Sequence, residues 1–538
     1  MLRRLLLPAL LAVALAAGGC RGRSPRPPPE RFVPAAVRAV VVVPETGRAS
    51  RELAALHAVV AAFPGATAVA EARGAIAAQL GFDPLDPKGL AAAGVDARRG
   101  AALALLGAAG EPARALLVLP VGDAAKLETL LARLARERLG AELRAAEPRG
   151  AFSAVAFRRA AGEPIALAYL VTQRTALVSQ GPGAADLVAE AAGLAPERAL
   201  AGSAAFGAAR RALGDAPAAI AFAPPGSPLV ARAWPARDGL ALGLSAGPGG
   251  LRASAAVLLG AREPSFRALA GGGAAAALLA RLHPEAQLAA RWDGEPGPLG
   301  GKLVPMLSRA DRARLAGRGL DPQRDLFDLL APGVAVALSL SPGLELTGLT
   351  EATLRADPLR LLRLEAVARV KDPDRARAAF DRIAPPPRRP RAARTGAGPP
   401  APGTWRIATP SGELAWRLDG DRLALAGGPP GALDALAARL GGGGAGFRAP
   451  TPAAEAALKG GLGGAVLDAQ RLVAGVRALP EDAFGTGPSG FVVRSVVDRF
   501  LEPAARLSAV SLRAQLAEGA LVLAAEVEVL PSAPEVRP

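Results

Sequence analysis

The chain contains almost no cysteine or histidine, and this scarcity removes several kinds of chemistry. Among 538 residues there are one cysteine and two histidines. A single thiol cannot form an internal disulfide or a thiolate metal site. The histidines, His57 and His283, have no second ligand at metal spacing, and we interpret them as ordinary helix-face or loop residues. The sequence therefore predicts neither a metal nor another cofactor.

Catalytic sequence patterns are missing as well. Ser203 and Ser489 lack the flanking glycines of a serine-hydrolase elbow, and no serine is followed by lysine three residues later. The glycine-rich run 441–446 follows a predicted helix, whereas a dinucleotide-binding loop links a strand to a helix. Paired aspartates occur at 83 and 86, at 372 and 374, and at 419 and 421. Turns and helix caps explain these pairs more simply than acid–base catalysis does. We therefore predict that the protein is not an enzyme.

Length and composition indicate a large globular protein with aliphatic cores. One core rarely serves more than ~250–300 residues, so a chain of 538 residues is expected to form two domains. Hydrophobic residues make up 51% of the chain, many of them alanine, and aromatic residues only 4%. The net charge of +16 would attract nucleic acid, anionic lipid or acidic polysaccharide alike, so the cellular compartment decides among them.

The amino terminus has the pattern of an export signal. Arg3 and Arg4 precede an apolar run, 5–17, which is too short for a comfortable membrane span. The following residues, 17–20, read Ala-Gly-Gly-Cys and resemble the lipobox of the bacterial lipoprotein class, although Ala17 stands where leucine is commonest. The resemblance implies cleavage after residue 19 and lipidation of Cys20.

This resemblance also implies a location. The protein is expected to be exported and held by its lipid at the periplasmic face of a membrane. Arg21 follows the anchor where aspartate is a retention signal in some bacteria, and this favours the outer membrane over the inner one. Nucleic acid is then not an expected partner. The proline- and arginine-rich remainder of 20–34 is interpreted as a tether.

The rest of the chain contains an internal repeat. An apolar run ending at Val121 leads into a helix headed by Asp123, and a run ending at Val370 leads into a helix headed by Asp372, displaced by 249 positions. Both aspartates are predicted N-caps. Further blocks correspond in the same order: 94–97 with 319–322, 167–169 with 414–416, 181–182 with 428–429, and 250–259 with 519–530. The blocks 167–169 and 414–416 each begin a predicted hairpin. The first hairpin is closed by 173–174 and the second by 419–421, where Asp-Gly favours a type I′ turn.

These blocks predict an α+β fold with two tandem units, each an antiparallel sheet with helices packed on one face. The expected boundaries are a signal at 1–19, the anchor and tether at 20–34, a first unit at 35–262, a glycine-rich bridge at 263–274, a second unit at 275–532 and a tail at 533–538. A chance match in alanine-rich sequence is the alternative. Both copies resemble an exported bacterial family known only as a domain of unknown function, which implies export and architecture but no site residues.

One basic cluster falls in an insertion of the second unit, 385–403, predicted to be a disordered loop. Its arginines, Arg388, Arg389, Arg391 and Arg394, are candidates for contact with an anionic surface, and a solvated loop is the simpler interpretation. The leading functional hypothesis is a lipid-anchored scaffold or protein-binding module of unknown oligomeric state. A carrier of a hydrophobic ligand such as lipid is the alternative, and an enzyme comes third.

Overall fold

The chain folds into two compact units in a computed structural model. One unit runs to Glu263 and includes Ala517–Ala524, and the other comprises Pro264–Leu516 and the chain from Ala525. Helices and antiparallel strands make up both, which confirms the α+β fold class. The described residues are 27–530 apart from gaps at 62, 64–66, 81, 84–85, 108–109, 215–216, 228–238, 248, 261–262, 270–274, 307, 342–343, 345–352, 354–356, 385–402, 486 and 518.

The first unit is built on an antiparallel sheet with the strand order 4-5-6-7-3-2-1-8-9-10. Its strands are β1 (Ala39–Val43), β2 (Ala101–Leu106), β3 (Arg114–Pro120), β4 (Leu143–Arg149), β5 (Phe152–Arg158), β6 (Leu167–Thr172), β7 (Thr175–Gln180), β8 (Ala219–Ala223), β9 (Leu240–Gly247) and β10 (Gly250–Leu258). Its helices are α1 (Thr46–Ala61), α2 (Thr67–Leu80), α3 (Pro87–Ala92), α4 (Ala124–Leu139), α5 (Ala184–Ala192) and α6 (Ala204–Ala212).

Both faces of this sheet are covered, because successive strand residues point to opposite sides. Leu116 of β3 packs in a core with Leu187 of α5 and Phe206 of α6. Leu117, the next residue, packs in a second core with Leu131 of α4. The prediction of helices on one face was therefore wrong: short apolar runs that read as one-sided strands are buried on both sides.

The start of the first unit lies earlier than predicted. Pro29–Phe32 forms a 3-10 helix, and Phe32 and Val33 are buried in the core. Pro34 also forms a bridge with Ala199. The last part of the predicted tether 20–34 therefore belongs to the fold, because two apolar side chains within the proline-rich stretch have a core to enter.

The second unit has the strand order 14-15-16-13-12-11-17-18, and a final hairpin is formed by the last two strands. Its strands are β11 (Leu288–Trp292), β12 (Val334–Leu340), β13 (Leu362–Arg369), β14 (Thr404–Thr409), β15 (Gly412–Asp419), β16 (Arg422–Gly428), β17 (Gly463–Asp468) and β18 (Leu507–Ala517). The last strand, β19 (Ala520–Val529), is divided between the units, and its residues up to Ala524 belong to the first. The helices from the junction onward are α7 (Glu263–Leu269), α8 (Ala275–Leu279), α9 (Pro296–Leu303), α10 (Arg309–Gly317), α11 (Pro322–Asp325), α12 (Pro373–Ile383), α13 (Ala432–Leu440), α14 (Pro452–Lys459), α15 (Ala469–Arg477) and α16 (Gly487–Ala504).

The junction and the tails fall partly outside the described residues. The predicted bridge 263–274 begins with α7 and is therefore helical up to Leu269. The segments 1–19 and 533–538, and all but Gly403 of the loop 385–403, lie outside the described residues.

The predicted helix caps and hairpins are present. Asp123 accepts the backbone N–H of Lys126 at 3.2 Å, and Asp372 accepts that of Arg375 at 3.0 Å. The turn between β6 and β7 is made by Gln173 and Arg174, both with positive φ. In the second hairpin Asp419 pairs with Arg422, so the turn is Gly420-Asp421 and lies one residue later than the predicted Asp-Gly turn.

Candidate functional site

The residues predicted to contact lipid or an anionic surface cannot be placed in the fold. Cys20 and the four arginines Arg388, Arg389, Arg391 and Arg394 lie outside the described residues. The structure does place the serines, the histidines and the paired aspartates, for which the sequence predicts no catalytic or metal-binding role.

The serines and histidines occupy ordinary structural positions. Ser203 caps α6 by accepting the backbone N–H of Phe206 at 3.3 Å, and Ser489 lies in α16. His57 lies in α1, and His283 lies in the turn after α8, where its Nδ1 accepts the backbone N–H of Glu285 at 3.1 Å. Within the described part of the chain, no three His, Cys, Asp or Glu side chains form a group able to hold a metal ion.

The paired aspartates are separated by their structural roles. Asp86 caps α3, whereas Asp83 is bound by Arg73 at 2.6 Å. Asp372 caps α12, whereas Asp374 extends outward to Arg377 at 3.1 Å. The pair at 419 and 421 flanks a hairpin turn. These positions match the turn and cap interpretation drawn from the sequence.

An apolar cavity of about 240 Å³ lies in the second unit. It lies between α12, the segment that follows α11, and the strands β14, β15 and β16, and it is partly open to solvent. Its lining is aliphatic and aromatic except for one carboxylate, Asp325, and includes Leu330, Val370, Phe380, Ile383, Ile407 and Trp416. Apolar cavities of ~150 Å³ already admit benzene, so this one is large enough for a short hydrocarbon or one end of an acyl chain.

Aromatic packing shapes one wall of the cavity. The Trp416 ring stacks on Trp405 with centroids 6.5 Å apart, and Phe380 meets Trp416 edge-on at 6.1 Å. Asp381 fixes the Trp405 ring by accepting its Nε1–H at 2.7 Å. The three rings are buried together, so this wall is rigid and cannot easily collapse into the space beside it.

The only charged lining residue, Asp325, is held by arginines. Arg324 approaches its two carboxylate oxygens at 3.2 Å each, and Arg382 and Arg375 lie at 3.7 and 3.9 Å. The backbone N–H of Asp321 donates to Asp325 at 2.9 Å.

These contacts fix the charge of the carboxylate. Burial alone would raise the pKa of Asp325, but the hydrogen bonds from Arg324 and Asp321 and the nearby arginine charges outweigh it, so the pKa is lowered. The carboxylate therefore stays ionised at neutral pH and is not a proton donor. The site is suited to holding an apolar molecule beside a patch of arginines.

Sequence reasoning did not find this site. The sequence predicts the helix headed by Asp372, and its apolar residues Ala376, Phe380 and Ile383 are buried or half-buried. Periodicity reports which residues face inward but not whether the space between them is filled. Asp325 carried no signal either, because an acidic residue near a helix end is common.

In the described part of the chain, no helix combines the length and hydrophobicity that crossing a membrane requires. No protein-family model, curated protein or solved structure matches the chain.

Proposed function

We propose that the second unit binds a small apolar ligand, and that the protein carries hydrophobic molecules. The observation that supports this most directly is the cavity of about 240 Å³ with its almost entirely apolar lining. An unfilled cavity costs stability, about 24 cal/mol for each Å³ that stays empty. A ligand that fills the space would recover part of that loss and add the burial of its own apolar surface.

The carrier hypothesis fits the location expected from the sequence. An exported protein anchored through Cys20 would act at the periplasmic face of the membrane, with the outer membrane favoured. Two or more acyl chains give stable attachment, so the folded units need no membrane-binding surface of their own. Neither nucleic acid nor catalysis is part of this proposal.

Lipidation can be tested separately from binding. Cells expressing the wild type or Cys20→Ala are labelled with a palmitate analogue and fractionated. Label in the wild type and its loss in the variant are the expected result. Equal labelling, or none in either protein, would remove the lipoprotein proposal but leave the cavity proposal standing.

We further propose that the two units arose by tandem duplication. Tyr169 pairs with Val178 in the first unit and Trp416 pairs with Leu425 in the second, with all positions displaced by 247. The strand pairs 1-2, 1-8, 2-3, 3-7, 5-6 and 8-9 of the first unit have the same partners as 11-12, 11-17, 12-13, 13-16, 14-15 and 17-18 of the second. The 3-7 and 13-16 pairs also share register, since Leu116 pairs with Ser179 and Glu365, displaced by 249, pairs with Ala426, displaced by 247. Chance similarity in alanine-rich sequence would not preserve residue-level register across a sheet.

The same correspondence suggests why the second unit contains a cavity. Phe157 pairs with Leu167 and stacks near Tyr169, with centroids 6.3 Å apart. Its counterpart in the second unit is Ile407, which pairs with Leu414 and lines the cavity. A smaller side chain therefore stands at this one position, whereas Trp405, the counterpart of Val155, is larger.

Native mass spectrometry tests the carrier proposal. The full chain with Cys20→Ala, which removes the anchor lipid, is purified from cells and sprayed under native conditions. We expect a bound hydrophobic adduct whose occupancy falls when Ile407→Phe is added to the same chain. An adduct-free protein that also fails to bind added nonane would remove the proposal.

A second candidate function, protein binding, is supported by α16. Four apolar residues of this helix are exposed, Phe491 at 76%, Val492 at 59%, and Val496 and Phe500 at 50% each. Large exposed apolar groups in one element often mark an interaction surface. Cross-linking in envelopes at native expression should recover a partner that is lost in Phe491→Ser/Phe500→Ser. The partner should still be recovered with Val171→Ser, which alters an exposed residue of the first unit. Recovery of the same proteins with the wild type, the double variant and Val171→Ser would count against this function.

A further inference from the structure

The arginines around Asp325 exceed what one carboxylate needs. Arg324, Arg375 and Arg382 all lie within 4 Å of it, so three positive charges meet two carboxylates, Asp325 itself and Asp321, whose charge acts on Arg324. The Asp325 side chain is 4% exposed, whereas those of the arginines are between 40% and 62% exposed. The carboxylate is thus inside, and the guanidinium groups extend from it toward water.

Backbone contacts hold these arginines in place. Arg375 donates to the carbonyl of Arg324 at 2.9 Å, and Arg382 donates to the carbonyl of Gly319 at 2.6 Å. Arg318 donates at 2.8 Å to the carbonyl of Ile383, which itself lines the cavity. Side chains fixed in this way lose little further entropy when they meet an anion, and guanidinium groups suit carboxylate and phosphate oxygens.

The cavity itself cannot hold an anionic group. Among the described residues its lining contains no cationic side chain, and its one charged group is the ionised Asp325. A charged headgroup placed inside would be desolvated next to a like charge, which is costly. The headgroup of a bound amphiphile must therefore remain outside, at the arginines, while the tail enters the cavity.

We infer that the ligand is an anionic amphiphile, with its hydrocarbon tail in the cavity and its carboxylate or phosphate at Arg324, Arg375 and Arg382. This inference rests on the proposed function and adds the charge of the ligand and its orientation. A free fatty acid and the acyl end of an anionic lipid share this chemistry.

The test compares tails of equal length with different headgroups. Binding of octanoate, octyl phosphate, octanol and octyltrimethylammonium to the full chain with Cys20→Ala is measured by isothermal titration calorimetry at low and high salt. The two anions should bind at least about fivefold more tightly than octanol, the cation should bind most weakly, and added salt should reduce the preference. A preference for octyl phosphate over octanoate would favour a lipid phosphate as the natural headgroup, and the reverse would favour a free fatty acid.

Variants separate the arginines near the cavity from those elsewhere. Arg375→Gln/Arg382→Gln should reduce anion binding to the level of octanol and leave octanol binding unchanged. Arg377→Gln is the matched control, because Arg377 lies on the same helix but pairs with Asp374 at 3.1 Å. Asp325→Asn, which removes the competing negative charge, should strengthen anion binding several-fold.

The outcomes distinguish the inference from the proposed function. If none of the four compounds binds, the cavity is not a ligand site and both proposals fail. If all four bind with equal affinity at low salt, the carrier proposal stands and the anionic headgroup is wrong. Should the double variant fail to fold, the headgroup and salt comparison in the unsubstituted site still decides.

Discussion

Replacing Ile407 with phenylalanine is expected to fill part of the cavity and stabilise the second unit. Ile407 lines the cavity beside the rigid wall formed by Trp416 and Phe380. If the ring occupies roughly a fifth of the 240 Å³, the gain is about 1 kcal/mol at ~24 cal/mol per Å³. The first unit already holds a phenylalanine, Phe157, at the corresponding register position, so the backbone of this kind of sheet accepts the ring.

The assay combines unfolding with binding. In urea denaturation of the full chain, the midpoint of the second unit's transition should move to a higher urea concentration. The midpoint temperature of its thermal unfolding should rise by about 2–4 °C. Octanol binding should weaken at the same time, because less of the cavity is left to fill. Ile407→Leu, which conserves volume, should change neither measurement by much.

Two results would refute this reasoning. A variant that loses more than about 1 kcal/mol of stability would mean that the ring is overpacked and the space is not available. A variant of unchanged stability that still binds octanol would mean that the ligand enters elsewhere. Stabilisation together with weakened binding is the pattern that the cavity at Ile407 predicts.

Three further predictions concern buried groups. Burial holds the pKa of the Glu30 carboxyl above its ordinary value of 4.5. The free energy of unfolding therefore falls as the pH rises from 4.5 toward the pKa of the folded state. Glu30→Gln should raise the Tm at neutral pH and change it little at about pH 4. Arg291 is buried and donates to Asp293, so Arg291→Met should destabilise the second unit by about 3 kcal/mol in urea denaturation, because Asp293 loses its partner; no destabilisation would mean that the pair is dispensable. Phe157→Ile should lower the free energy of unfolding of the first unit by about 1–3 kcal/mol in urea denaturation; no loss would show that the first unit repacks around the smaller side chain.

Much of the local structure could be predicted because its signals are local. Asp123 and Asp372 cap helices since a short carboxylate before a helix can bond the free backbone N–H groups. The same pattern occurs at both positions, 249 residues apart, and this argues against a chance match. The hairpin turn at Gln173 and Arg174 followed from the two flanking apolar runs, even though neither residue is a typical turn former.

Arrangement beyond neighbouring elements could not be obtained in the same way. Predicting helices on both faces of the sheet requires the information that Leu116 and Leu117 are both buried. An unbroken apolar run does not supply it, because such a run is compatible with either a one-sided or a two-sided strand. Phe32 and Val33 looked like part of a tether because their neighbours are prolines. Their burial depends on a distant loop, at Ala199 and Leu200, which supplies the hydrogen bonds that order the segment.

The proposed duplication makes the differences between the units more informative than their similarities. Where both units carry an N-cap or a buried aliphatic residue, the requirement is that of the fold and says nothing about function. Phe157 and Ile407 differ at matched register, and so do Tyr169 and Trp416. The hydroxyl of Tyr169 accepts a hydrogen bond from Arg144 at 3.1 Å, and Arg144 also pairs with Glu128. In the second unit three arginines converge on Asp325 instead. The second core is not poorer in rings, because Trp405 and Trp416 stand where the first unit has Val155 and Tyr169. The space beside Ile407 nevertheless stays open, and the proposed ligand would supply apolar volume there and a negative charge at the neighbouring arginines.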